Sequence, residues 1–219
     1  MNTIPIRPFA AAKLLTFAAL ALAGCHVGIR GNGHVVTESR KVLDYTSVEA
    51  DGMFTISWAN GPAGVDIKTD SNLLDHIETD VRGTKLRLHL RGQVRSTRGI
   101  NVALTSSALS AAKLTGACRL TATKVAGKGF YLEGSGATRV TMDGTVGELM
   151  ATMSGATRLD SESLQAETVE LSISGAGKAD VAASKALKVA ISGAGKVTYT
   201  GNPTVERRIS GAGSVRQRD

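Results

Sequence analysis

Five basic residues recur at nearly constant intervals along the second half of the chain: Arg119, Arg139, Arg158, Lys178 and Lys196. The intervals are 20, 19, 20 and 18 residues. Like charges that recur at one period come together if the segments between them stack. A column of guanidinium and ammonium groups binds anions. Two residues beyond these positions stand Thr121, Thr141, Asp160, Asp180 and Thr198. Residues two apart on a strand share a face. Arg158 with Asp160, and Lys178 with Asp180, can then pair locally, leaving a solvated charged face that discourages aggregation. The alternative is a linear track for an anionic polymer. Both readings stand at this level.

Other chemistry is scarce. Asp143, Asp160 and Asp180 are the carboxylates that acid–base chemistry on a repetitive surface would use. Asp160 and Asp180 flank the basic column, where charge balance explains them. His26, His34, His76 and His89 lack metal-ligand spacing, so no metal or cofactor is expected. Neither a Gly-x-Ser-x-Gly elbow, a phosphate loop nor a dinucleotide fingerprint is present. Aromatic residues are only 4% of the chain, so a platform for stacking bases is absent and nucleic acid is not an expected partner.

What positions the basic column is a phrase repeated six times. The clearest copies are Ile173-Ser174-Gly175-Ala176-Gly177-Lys178, Ile191-Ser192-Gly193-Ala194-Gly195-Lys196 and Ile209-Ser210-Gly211-Ala212-Gly213-Ser214. Looser copies are centred on Gly116, Gly136 and Gly155. A fixed period near 20 residues marks a solenoid. Two, four and six residues before each of the six glycines, and four after, the side chains are mostly apolar. That alternation is the strand period. Each copy therefore reads as strand, glycine corner, strand and return. The predicted fold is all-β: a right-handed parallel β-helix, preferred over a left-handed hexapeptide helix because apolar residues do not recur every six. In the last copy Arg207 occupies an apolar column and the chain ends Arg216-Gln217-Arg218-Asp219, polar features suited to a terminal coil. Cys118 takes a small-residue corner position shared with Thr138, Thr157, Gly177, Gly195 and Gly213, which points to packing rather than to a reactive thiol.

The chain before the repeats divides into three parts. Residues 1–24 carry Arg7, Lys13 and a short apolar run from Leu14 to Leu22, a signal segment too short to span a bilayer. Residues 25–40 read as a glycine-marked tether. Residues 41–110 show alternating segments at Tyr45–Ala50, Met53–Trp58, Val65–Thr69, His76–Val81, Lys85–Leu90 and Ile100–Thr105, separated by turn signals such as Asp51-Gly52 and Asp70-Ser71-Asn72. They are expected to form an irregular β segment, as first coils or as a cap. Residues 111–219 hold the repeated coils.

Two resemblances follow from these residues. Leu22-Ala23-Gly24-Cys25 resembles the lipobox of bacterial lipoproteins, which implies diacylation of Cys25, with palmitate-type chains, as the mature N-terminus. His26 in the next position implies, by the same resemblance, sorting to the outer membrane. Loss of Arg7 and Lys13 with the signal takes the formal charge from +7 to +5. The order Val48…Phe54-Thr55-Ile56, Val65-Asp66-Ile67, Asp70-Ser71-Asn72-Leu73-Leu74-Asp75-His76-Ile77 and Gly83-Thr84-Lys85-Leu86, followed by the Ser-Gly-Ala-Gly repeats, resembles the GIN-domain family over residues 41–215. That family is labelled a putative autotransporter adhesin head and includes many bacterial lipoproteins. The resemblance implies a β-helical, non-catalytic envelope protein. This chain departs from the family pattern, which often places Asp where the basic column stands. Three function classes remain: adhesion to or binding of an anionic envelope component such as lipopolysaccharide or an acidic glycan, with scaffolding; an accessory subunit of an envelope-stress system; and a carbohydrate-active β-helix enzyme. Open strand edges at the coil ends leave room for a homo-oligomer.

Overall fold

The computed structural model describes residues 28–218. Cys25, the signal segment 1–24 and Asp219 lie outside the described residues. The elements are β1 (Ile29–Arg30), β2 (Val35–Arg40), β3 (Ser47–Gly52), β4 (Phe54–Asn60), β5 (Gly64–Asp70), a 3-10 turn (Ser71–His76), β6 (Ile77–Arg82), β7 (Lys85–Leu90), β8 (Val94–Arg95), β9 (Ile100–Ser106), β10 (Ala111–Gly116), β11 (Arg119–Gly136), β12 (Arg139–Gly155), β13 (Arg158–Gly175), β14 (Lys178–Gly193), β15 (Lys196–Thr200), β16 (Thr204–Ser210) and β17 (Ser214–Gln217). They wind into an all-β solenoid of about five turns.

Parallel pairing in one register runs up the coils. Gly116 stands over Gly52 and beneath Gly136, followed by Gly155, Gly175 and Gly193. Every one of these glycines has positive φ. The backbone ladder continues around the corner, because the N–H of Ala137 donates to Gly116 O and that of Ala156 to Gly136 O, both at 2.9 Å. The next position donates too: Arg139 N–H reaches Cys118 O, and Arg158 N–H reaches Thr138 O, also at 2.9 Å. Few backbone groups at the corner are left to solvent, so each coil templates the one above it.

The apolar columns form one continuous core. Leu114, Met153, Ile173 and Ile191 lie before the corner, and Leu120, Val140, Leu159, Ala179 and Val197 after it; all are buried. Volume is traded across the corner. A Cβ on Gly134 would sit 2.9 Å from Thr138 Oγ1, so the absent side chain there accommodates the buried threonines 138 and 157. A Cβ on Gly177 would instead sit 2.9 Å from Ile173 Cγ2. Where the residue before the corner is the β-branched Ile173, Ile191 or Ile209, the position after it is glycine, which leaves room for the isoleucine Cγ2. Cys118 is buried in the same position, and burial pushes its thiol pKa up, which suits packing rather than reactivity.

The N-terminal segment supplies both first coils and a cap. β3 and β4 lie beneath β10 and β11 as a full coil with Gly52 at its corner, and β7 and β9 stack below them in parallel. The cap is antiparallel: β6 on β7, β5 on β9 and β2 on β5. One expectation is corrected. Residues 35–40, read as tether, are a paired strand, and residues 28–34 are fastened to the body: Gly33 N–H donates to Asp70 Oδ1 at 2.8 Å and Asn72 Nδ2 donates to Arg30 O at 2.9 Å. At the other end β16 is exposed along its whole length, Arg207 included, because no coil stacks on it.

Candidate functional site

The five basic residues form one column. Arg119 stands opposite Arg139, Arg139 opposite Arg158, Arg158 opposite Lys178 and Lys178 opposite Lys196. Below them the column continues through Thr55 and Asn101, and above them it ends at Ser214. Neighbouring cations are therefore one inter-strand step apart, about 4.8 Å between backbones. Their carrier strands begin directly after the corner, so the side chains leave the solenoid at its bend.

Neutralisation along the column is uneven. Asp180, buried at 7% side-chain exposure, lies 3.8 Å from Arg158 and 3.5 Å from Lys178. Arg218, arriving from the last coil, lies 3.2 Å from the other Asp180 oxygen and also pairs with Glu162. The local pairing expected of Lys178 with Asp180 is present. Arg158, however, pairs diagonally with Asp180 and not with Asp160 on its own strand. No ion pair of Arg119, Arg139 or Lys196 occurs among the described residues. Asp180→Asn should therefore leave three cations facing a neutral amide. The expected cost is about 1–2 kcal/mol at low salt, shrinking as salt is added. Urea melts at two ionic strengths measure it, and a salt-independent deficit would mean the role is packing.

The free arginines border a concavity. Met53, Ala117, Ala137 and Ala156 form its apolar floor, Arg119, Arg139 and Arg158 its charged wall, and its volume is about 510 Å³. The alanines are exposed because they cap the corner, outside the turn. A serine column, Ser135, Ser154, Ser174 and Ser192, borders the corner on its other side.

The remaining candidates do not converge. Asp143 accepts the Lys124 N–H at 2.7 Å, where Lys124 has φ +55, so it caps a bulge. His89 Nδ1 lies 3.6 Å from Asp51 Oδ2 on an exposed face. Among the described residues no group of three or more His, Cys, Asp or Glu side chains gathers as metal ligands would. Two residues of the concavity were not legible as such. Met53 and Thr55 belong to a coil whose corner, Gly52, looks like an ordinary Asp-Gly turn in the sequence.

A family model described as "Putative auto-transporter adhesin, head GIN domain" matches residues 44–203. No curated protein matches the sequence. Solved structures do match. A "putative adhesin" from Bacteroides fragilis superposes with a TM-score of 0.72 at 18% identity, over 87% of this chain and 100% of that one. A "putative adhesin" from Parabacteroides distasonis gives 0.54 at 20% identity, with the same coverage of each chain. A "Putative lipid binding protein" from the same species gives 0.55 at 21%, over 87% and 99%. At these identities the likeness is one of fold.

Proposed function

Because the chain belongs to the GIN-domain family, described as an auto-transporter adhesin head, we propose that it is a non-catalytic binding head of the cell envelope whose basic column takes an anionic envelope component. The observation that carries this reading is the column itself: five cations in strict register, of which Arg119, Arg139 and Lys196 have no ion pair among the described residues. Stacked like charges repel, and a polyanion laid along the coil axis offsets that repulsion. A solenoid presents an extended surface rather than a deep pocket, which suits a polymer. The adhesin descriptions of the family and of the neighbours agree with surface binding. The lipobox-like Leu22-Ala23-Gly24-Cys25 supports a membrane anchor through an acylated Cys25, and His26 after it supports sorting to the outer membrane.

The test is binding of the detergent-solubilised full chain to lipopolysaccharide and to an acidic polysaccharide at low and high salt. A variant with Arg119, Arg139, Arg158, Lys178 and Lys196 all changed to Ser runs beside it. The expected outcome is salt-sensitive binding that the variant loses by about tenfold or more. Equal binding by the two proteins, or none by either, makes the column surface charge and moves the search to protein partners.

A further inference from the structure

Within that binding reading, and resting on it, the column is not uniform, and we infer that its lower end is a discrete subsite for a phosphate monoester bearing an apolar substituent. Three observations meet there. Arg119 and Arg139 are adjacent in register and have no carboxylate partner among the described residues, while Arg158 above them shares Asp180 with Lys178 and Arg218. The concavity lies at this end of the column: Arg119, Arg139 and Arg158 bound it, and Lys178 and Lys196 are not among its lining residues. Its floor is apolar, made by the methyl groups of Ala117, Ala137 and Ala156 and the side chain of Met53, which is 51% exposed.

Each feature selects part of the ligand. Two arginines whose backbones are one inter-strand step apart can bring two forks of N–H donors to one anion, and a tetrahedral dianion with three free oxygens fills both, where a single carboxylate fills one. Next to them the floor holds no charge. A group attached through the phosphoester oxygen and lying over the alanines removes apolar surface from water on both sides. Thr55 and Asn101 continue the column below Arg119 without charge, so the anion site ends there. The ligand class is a phosphorylated amphiphile, and the phosphate chemistry is shared by a lipid headgroup and free phosphate.

Calorimetric titration of the full chain in non-ionic detergent with inorganic phosphate, n-hexyl phosphate and n-hexanoate separates these sources. Hexyl phosphate is expected to bind about tenfold tighter than inorganic phosphate, and hexanoate more weakly than hexyl phosphate. Arg119→Ser with Arg139→Ser should lose tenfold or more, whereas Lys178→Ser with Lys196→Ser, which removes column charge outside the concavity, should lose distinctly less, about threefold. Ala137→Asp, which puts a like charge on the floor, should abolish hexyl phosphate binding, with circular dichroism reporting an intact fold in each variant. Equal affinity for the two phosphates overturns the apolar half of the site. Equal losses in the two double variants, or hexyl phosphate binding indifferent to both, overturns the subsite. If lipopolysaccharide binding still depends on the five basic residues in that case, the general column reading survives alone.

Discussion

Gly136→Val is expected to remove about 3–5 kcal/mol of stability, a large share of the roughly 5–15 kcal/mol that holds a typical domain. Two costs combine. Gly136 has φ +89, a conformation that costs a side-chain-bearing residue about 1–2 kcal/mol. A Cβ there would also sit 2.7 Å from Gly116 O, the carbonyl that accepts the Ala137 N–H. That carbonyl is backbone, pinned on both sides by the ladder, so it cannot rotate away. Relief requires coils to part at the corner, and the damage spreads because Gly155 rests on Gly136 in the same way. Gly83→Ala is the control. Gly83 has φ +62 but nothing within 4 Å of its Cβ position, so it should lose only about 1 kcal/mol. Urea midpoints of the two variants decide the matter. If they match, positive φ alone explains the glycine column and the stacking argument fails.

That column was legible in the sequence for the reason that makes it vulnerable. Each coil must meet the next at the same corner, so Gly116, Gly136, Gly155, Gly175, Gly193 and Gly211 recur at nearly one period, and basic residues stand three positions on from each of the first five. The lowest full coil obeys the same rule, with Gly52, Thr55 and Ile56 under Gly116, Arg119 and Leu120. Its period is hidden because β5 through β9, with the 3-10 turn, are inserted between that corner and the next. Strand positions in the insertion still followed from alternation. The alternating segment at Lys85–Leu90 is β7, and the segment at Ile100–Thr105 is β9 but for one residue. What alternation could not supply was partners. The charges on Arg158 and Lys178 are shared with Arg218 through Asp180, a contact that needs the last coil folded back beside the column. So the column was visible, while its division into a neutralised middle at Arg158 and Lys178 and cations without an ion pair on either side was not.

The N-terminal strand was missed for a related reason, and it carries the second large effect. Asp70 is fully buried, and each of its oxygens accepts two hydrogen bonds. Oδ1 takes the Gly33 N–H at 2.8 Å and the Thr97 hydroxyl at 2.7 Å; Oδ2 takes the Thr97 N–H at 2.9 Å and the Ser96 hydroxyl at 2.7 Å. Four donors from two distant segments converge on one carboxylate, and the Thr97 hydroxyl leads the causes that hold its pKa well below the usual range. Such a contact has no period, so Asp70-Ser71-Asn72 reads only as a turn and residues 28–34 only as a tether. In Asp70→Asn one oxygen becomes an NH2 group. Hydroxyls can rotate to accept from it, but the backbone N–H facing it cannot, so a buried donor is left against a donor. The expected result is a melting temperature lower on the order of 5–10 °C at pH 7. The pH dependence has a definite sign. A carboxylate whose folded pKa is depressed stabilises the fold above its unfolded value near 3.9, and that stabilisation fades as pH falls towards the folded pKa. The parent should therefore hold its melting temperature, as far as Asp70 sets it, down to about pH 4 and lose it steeply below, while Asp70→Asn starts lower and falls less. Thermal melts from pH 7 to pH 2.5 check this. Parallel curves for the two proteins would move the acid sensitivity to other carboxylates, and an unchanged melting temperature at pH 7 would mean that the N-terminal strand is held by β2 pairing with β5 alone.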